Sequence, residues 1–351
     1  MQKMFLALLG LSALVKLALL ASLAAIVPGV ALAAEPQCGG TNIVETLAAE
    51  RPEALARIEK RAAEMPNGEG RFWRIGRDGV APSYLFGTMH VTDPRVTALP
   101  QDVETALRGS RVVALELQES GDDAAMQQAA STALGAMVYL DGTSLSDRID
   151  DATEATLREA LRSRPQMPWA VANRMKPWVV LGALAVPVCE TARKGAGTPV
   201  LDSKIARIAA SESIPVVGLE TVPDQLRMLD SLPEDAMITA LEGYARMGDR
   251  LEDVFETTVA LYAEGRIGVV WALLRDPVVA GEAAGGVDQT EALAAFERVA
   301  IEARNRTQLA SALPLVGEGG AFIAVGALHL PGRSGLVEGL RAKGWTLTRL
   351  D

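Results

Sequence analysis

The sequence predicts a mixed α/β fold in which strands come from both ends of the chain and the middle is mostly helical. Three observations predict it. β-rich runs alternate with helical periodicity over about residues 71–117. The same rhythm recurs at 201–220 and 321–350, and the intervening stretches, about 145–190 and 234–313, carry helical spacing without strand signals.

The elements follow in order. Residues 1–33 read as a secretory signal: Lys3 and Lys16 supply positive charge, Leu17 to Val27 an apolar core, Pro28 a break, and Ala31-Leu32-Ala33 a small-residue cleavage site. A retained membrane anchor is the rival reading, but Lys16 divides the apolar run into pieces shorter than the ~20 residues a span needs. Cleavage leaves residues 34–351, read as a single domain because no Pro/Gly/Ser linker or low-complexity run divides them. Asn42 to Met65 reads as one helix, stopped by Pro66-Asn67-Gly68. Arg71 to Ile75 and Ser83 to Gly87 form an antiparallel strand pair around Arg77-Asp78-Gly79. A helix from Gln101 to Leu107, a strand from Arg111 to Leu117 and a helix from Asp122 to Met137 follow.

Leu145 to Pro187 is mostly helical, with a break at Met175-Lys176-Pro177-Trp178. Asp202 reads as the N-cap of a helix from Ser203 to Ser211, the alternative being a functional acid. A strand from Ile214 to Leu219 and a helix after Thr221 come next. Glu234 to Leu274 and Asp288 to Leu313 are long helical regions. The tail returns to a strand at Ala321–Val325, a helix at Gly335–Lys343 and a strand at Trp345–Leu350.

Composition narrows the function classes. The chain carries 34 Lys and Arg against 44 Asp and Glu, a net charge of -10. Loss of Lys3 and Lys16 with the signal, which holds no acid, takes this to -12. An acidic exported protein without basic clusters is a poor partner for nucleic acid or anionic lipid. The partners expected are a peptide or a small-molecule substrate, with no membrane span after cleavage. Cys38 and Cys189 form an even pair in an oxidising compartment, which predicts a disulfide. Neither belongs to a CxxC or a metal-ligand cluster.

The two histidines among the 351 residues end the same pattern, Gly87-Thr88-Met89-His90 and Gly326-Ala327-Leu328-His329, with apolar residues flanking both copies. With 32 glycines in the chain, both histidines carrying a glycine three positions earlier has a chance probability below roughly 1%. His90, Glu116, Glu220 and His329 each lie at or just past the C-terminal end of an expected strand, where open α/β sheets place their ligand sites. Two imidazoles and a carboxylate suit a divalent transition metal such as Mn, Co, Zn or Fe, with positions left for water or substrate. A metal there lowers the pKa of its water and polarises a carbonyl, the needs of hydrolysis at neutral pH. Gly87 and Gly326 allow a sharp turn, or the close approach of another group. Neither His-Glu-x-x-His nor Gly-x-Ser-x-Gly occurs, which removes the zincin helix and the α/β-hydrolase elbow.

Blander readings exist for several of these residues. Glu116 can be an exposed alternate position of its strand, and Glu220 the start of the turn Glu220-Thr221-Val222-Pro223. Arg304 and Asn305 lie on a helix whose Glu302 and Arg306 can make ordinary surface pairs. Beside a metal, the Arg304 guanidinium instead holds a substrate carboxylate or stabilises an oxyanion.

The segments Ser83–Val91, Val113–Leu117, Leu201-Asp202, Gly218–Thr221, Arg304-Asn305 and Val325–Gly332 resemble the TraB/PrgY/GumN family in residues and in order. That family is related to the Tiki metalloproteases and, more remotely, to the erythromycin-esterase and ChaN-like fold; within it the chain looks most like the exported GumN-like branch. The resemblance implies a duplicated α/β core whose Gly-x-x-His motifs and a glutamate form a metal-dependent site. By that likeness His90 and His329 are metal ligands, Glu116 is a carboxylate ligand or general base, and Arg304 with Asn305 supports the ligands or holds substrate. The activity so implied is a metal-dependent, peptidase-like hydrolase. The alternative is a periplasmic protein that binds haem, metal or a peptide signal in the same cleft without turnover.

Overall fold

A computed structural model describes residues 38–117, 135–276, 279, 281 and 284–351. The segment read as a signal, and most of the helix expected over Asp122–Met137, lie outside the described residues. The N-terminal helical region is two helices rather than one, α1 (Ile43–Glu50) and α2 (Pro52–Ala63). The interruption has a local cause: Pro52 disfavours helical backbone at Arg51, which sits at φ -142° and ψ 61°, and Pro52 itself starts the second helix.

Strands β1 (Phe72–Arg77) and β2 (Val80–Thr88) pair antiparallel around Asp78-Gly79, where Gly79 takes φ 76°. Then come α3 (Gln101–Arg108), β3 (Val112–Leu117), α4 (Pro177–Leu184), α5 (Val188–Gly195), α6 (Leu201–Ser211) and β4 (Val216–Glu220). The break expected at Met175–Trp178 falls where Pro177 opens α4. The region Glu234–Leu274 is divided by Gly248 at φ 54° and Gly265 at φ 72°, giving Glu234–Met247, α7 (Arg250–Ala263) and Ile267–Leu274. A π-helical stretch, Glu297–Ala303, runs straight into α8 (Arg304–Glu318), followed by β5 (Ala321–Gly326), α9 (Leu336–Ala342) and β6 (Thr346–Arg349).

The six strands make one mixed sheet in the order β4-β3-β5-β2-β1-β6. β2, β5, β3 and β4 are parallel neighbours, and β1 lies antiparallel between β2 and β6. The mixed α/β class and the helical middle agree with the reading of the sequence. Central position explains composition: β3 (VVALEL) and β5 (AFIAVG) are buried over five of six residues, as parallel strands covered on both faces must be. One face sends Phe86, Val113, Leu115 and Phe322 against α3, α6 and α7. The other sends Leu85, Val112, Ala114, Ile323 and Val325 against α8 and α9. The four parallel strands therefore finish at one edge, between two helical layers.

Cys38 and Cys189 are joined, as the sequence predicts, closing a loop of 151 residues. Next to the bond, Gly39 and Thr41 donate backbone N–H groups to Glu252 and Asp253 of α7, so the start of the described chain is held to the core. Among the described residues no helix is long and apolar enough to cross a membrane.

Candidate functional site

The C-terminal edge of the parallel strands gathers the polar residues singled out in the sequence. β2 and β5 are neighbours, with Thr88 opposite Gly326, so their strand ends carry His90 and His329 to the same place. Glu116, at the end of β3, lies between the two rings. Its Oε2 is 3.8 Å from His90 Nε2 and its Oε1 is 3.6 Å from His329 Nε2. The β4 residue Glu220 completes the group through Arg304, which donates to Glu116 at 2.7 Å and to Glu220 at 2.6 Å.

The glycines act here by allowing close approach. A Cβ on Gly326 would stand 3.1 Å from Glu116 Oε1, the same oxygen that accepts the Gly326 N–H at 2.7 Å. A Cβ on Gly87 would meet Ala327 Cα at 3.0 Å, so the two Gly-x-x-His segments pack directly on each other. Neither glycine has positive φ, which leaves close approach rather than a special turn as their role.

The outer nitrogen of each ring is held. His90 Nδ1 lies 2.9 Å from Asp202 Oδ2, and the other oxygen of that carboxylate accepts from Thr88 Oγ1 at 3.0 Å. His329 Nδ1 lies 2.6 Å from Asn305 Oδ1, while Asn305 Nδ2 donates to the Ser334 carbonyl at 2.8 Å. The Ser334 carbonyl can only accept, so it orients the amide with Oδ1 toward the ring, and His329 must carry its proton on Nδ1. Its Nε2 lone pair then points to the Glu116 side. Asp202 is thus not a helix cap: α6 begins at Leu201, Val200 occupies the cap position, and the Asp202 side chain turns to Thr88 and His90 instead. Thr88, inside the first motif, also belongs to the site, and so does Gln308, which gave no signal in the sequence because only packing brings it there; Gln308 Nε2 donates to Glu220 at 2.9 Å.

Arg304 is not part of a solvated face. Its side chain is 14% exposed and bridges two carboxylates that are 9% and 4% exposed. The π-helical stretch just before it alters the helical phase at the point where Arg304 and Asn305 must face the strand ends, a common placement for π segments.

Burial and charge set different protonation states on the two histidines. Desolvation dominates at His329 and pushes its pKa down to about 4, so the ring is neutral at pH 7. At His90 desolvation opposes the charge but is outweighed by the close Asp202 contact and the negative charges of Asp202 and Glu116, raising the pKa to about 10. Burial would raise Glu116, yet the charged His90 ring 3.8 Å away and the Arg304 guanidinium carry it well below the ordinary carboxylate range. As they stand, the described residues include no group of three or more His, Cys, Asp or Glu poised around one metal position. The donor chemistry nevertheless fits an ion. The His329 Nε2 lone pair faces the ionised Glu116 carboxylate at 3.6 Å, two acceptors able to share a cation. Both outer nitrogens are anchored in the manner of metal-bound histidines.

Residues 71–349 match the TraB/PrgY/gumN family. The chain belongs to that family. The match begins at the hairpin that leads to His90 and ends in β6, so it takes in every strand and all the TraB/PrgY/gumN-like segments named above. No curated protein and no solved structure matches the chain.

Proposed function

We propose that this TraB/PrgY/gumN-family chain is an exported metal-dependent hydrolase with a peptidase-like activity. The observation that carries the reading is the convergence of His90 Nε2 and His329 Nε2 on the two oxygens of Glu116, each ring being tied back through Nδ1. Export is supported by the signal-like residues 1–33 and by the Cys38–Cys189 bond, which belongs to an oxidising compartment.

His90 and His329 would hold the ion through Nε2, with Glu116 as the third ligand. When bound, such an ion lowers the pKa of water and polarises a carbonyl. Glu116 is better suited to ligation than to general-base work, because a carboxylate held far below its ordinary pKa is a weak base. Arg304, fixed from behind by Glu220, keeps Glu116 in place and offers a guanidinium to a substrate carboxylate or a developing oxyanion. Asp202 and Asn305 hold the ring orientations. His90, whose side chain is 55% exposed, marks the solvent-facing side from which substrate approaches.

Elemental analysis of the mature protein beside His90→Ala and His329→Ala tests the metal site, and chelator-sensitive cleavage of unstructured peptides tests the hydrolase. The expected result is stoichiometric Mn, Co, Zn or Fe in the parent and its loss in both variants. A well-folded parent unable to take up any of these ions refutes the reading, and His-dependent uptake without hydrolysis leaves a binding protein instead.

A further inference from the structure

The two histidines are held in place by different means. The His329 side chain is 4% exposed and lies in the core, so packing and the Asn305 contact at Nδ1 restrain it. The His90 side chain is 55% exposed, and its residue follows β2 in a short tight turn closed by the Val91 N–H to Met89 carbonyl bond at 2.8 Å. Packing does not fix such a ring; besides the Asp202 contact at Nδ1, its position depends on the backbone that carries it.

Helix α5 holds that backbone. Lys194 Nζ donates to the His90 carbonyl at 2.8 Å. Two residues further on, Thr92 gives both its N–H (2.8 Å) and its hydroxyl (2.6 Å) to the two oxygens of Glu190. Glu190 is fully buried, and Lys194 lies 3.5 Å from it, so a desolvated carboxylate and its counter-ion both serve the loop that carries His90. The helix itself is anchored: Cys189, next to Glu190, is bonded to Cys38, and the Val186 carbonyl just before the helix accepts from the buried Arg164.

We propose that Glu190 and Lys194 are positioning residues for His90, and that the Cys38–Cys189 bond serves the site by holding the helix that bears them. The inference deepens the metal-site reading above and rests on it for its chemical consequence. The disulfide then acts on the ligand geometry, beyond its effect on overall stability.

The test uses the mature protein carrying Lys194→Met, Glu190→Gln or Lys194→Arg, observed by NMR of the histidine rings without metal and then by zinc titration. With two histidines in the chain, the ring signals are assigned with His329→Ala. Lys194→Met and Glu190→Gln are expected to shift and broaden the His90 ring signals and leave those of His329 in place. Zinc affinity should fall by about ten- to a hundredfold, as for other groups that orient a ligand. Lys194→Arg should restore both, and unchanged His329 ring signals in each single variant show that the core around that ring is kept. The double variant Cys38→Ser/Cys189→Ser should show the same His90 displacement. His90 signals identical to the parent in both Lys194→Met and Glu190→Gln overturn the positioning role, and identical signals in the double serine variant overturn the role given to the disulfide. A parent that takes up no zinc defeats the metal reading instead, and the metal-free ring signals still decide the positioning role.

Discussion

Replacing Arg304 with methionine removes the guanidinium shared by Glu116 and Glu220 while keeping most of the apolar stem. The three side chains are 14%, 9% and 4% exposed, so they stand far from the regime of surface ion pairs worth 0–1 kcal/mol. Taking one partner from a buried pair leaves uncompensated charge and costs about 3–5 kcal/mol. Here two carboxylates lose the same cation, which places the expected loss at the upper part of that range at pH 7. The pH dependence follows from Glu116, whose folded pKa lies below its ordinary 4.5. A depressed carboxylate contributes stability that is complete above pH 4.5 and is lost as pH falls toward the folded value. The gap between parent and variant should therefore narrow below pH 4.5. Urea unfolding of the parent, Arg304→Met and Arg304→Met/Glu220→Gln at pH 7 and pH 4 measures this, with the double variant recovering part of the loss by removing one of two like charges. A loss at pH 7 under about 1 kcal/mol, or a gap that does not narrow in acid, would refute the account of Arg304 as the buried counter-ion.

Three further outcomes are expected. Gly326→Ala, whose Cβ would stand 3.1 Å from Glu116 Oε1, should displace that carboxylate at a cost of about 1–3 kcal/mol and weaken metal uptake; unchanged uptake would show that Glu116 does not need this approach. Cys38→Ser/Cys189→Ser opens a loop of 151 residues, which in the chain-entropy treatment lowers stability by up to about 5 kcal/mol, read from urea unfolding; an unchanged midpoint would mean the loop ends stay together without the bond. In metal-free protein the His90 proton persists to about pH 10, so its stabilising effect is complete below the ordinary 6.5 and lost as pH rises through 10. An ion must expel that proton, so affinity should tighten from pH 6 to pH 9, with proton release visible by calorimetry in buffers of different ionisation enthalpy; a flat profile would remove His90 from the ligand set.

Much of the site was legible before any coordinates, because it depends on strand ends. A hydrophobic run such as Val112–Leu115 marks a central parallel strand, and the acid that follows it must emerge where open α/β sheets bind their ligands. His90, Glu220 and His329 follow the same rule. Helix-borne groups were far less legible. Asp202 has the spacing of a cap, and Arg304 has neighbours that could pair with it on a surface, because a helix presents several faces and its sequence does not say which one meets the sheet. Gln308, Glu190 and Lys194 carry no local signature, since their partners lie 88, 98 and 104 positions away.

The sequence by itself determined the strands, their apolar runs, the repeated Gly-x-x-His segments and the pairing of the two cysteines, because hydrophobic pattern and residue chemistry are local properties. Only the tertiary structure decided that β5 inserts between β3 and β2, and that order is what brings His90, Glu116 and His329 together. It also decided which nitrogen of each ring faces inward, since Asp202 and Asn305 reach the rings across helix–sheet packing that no local pattern encodes.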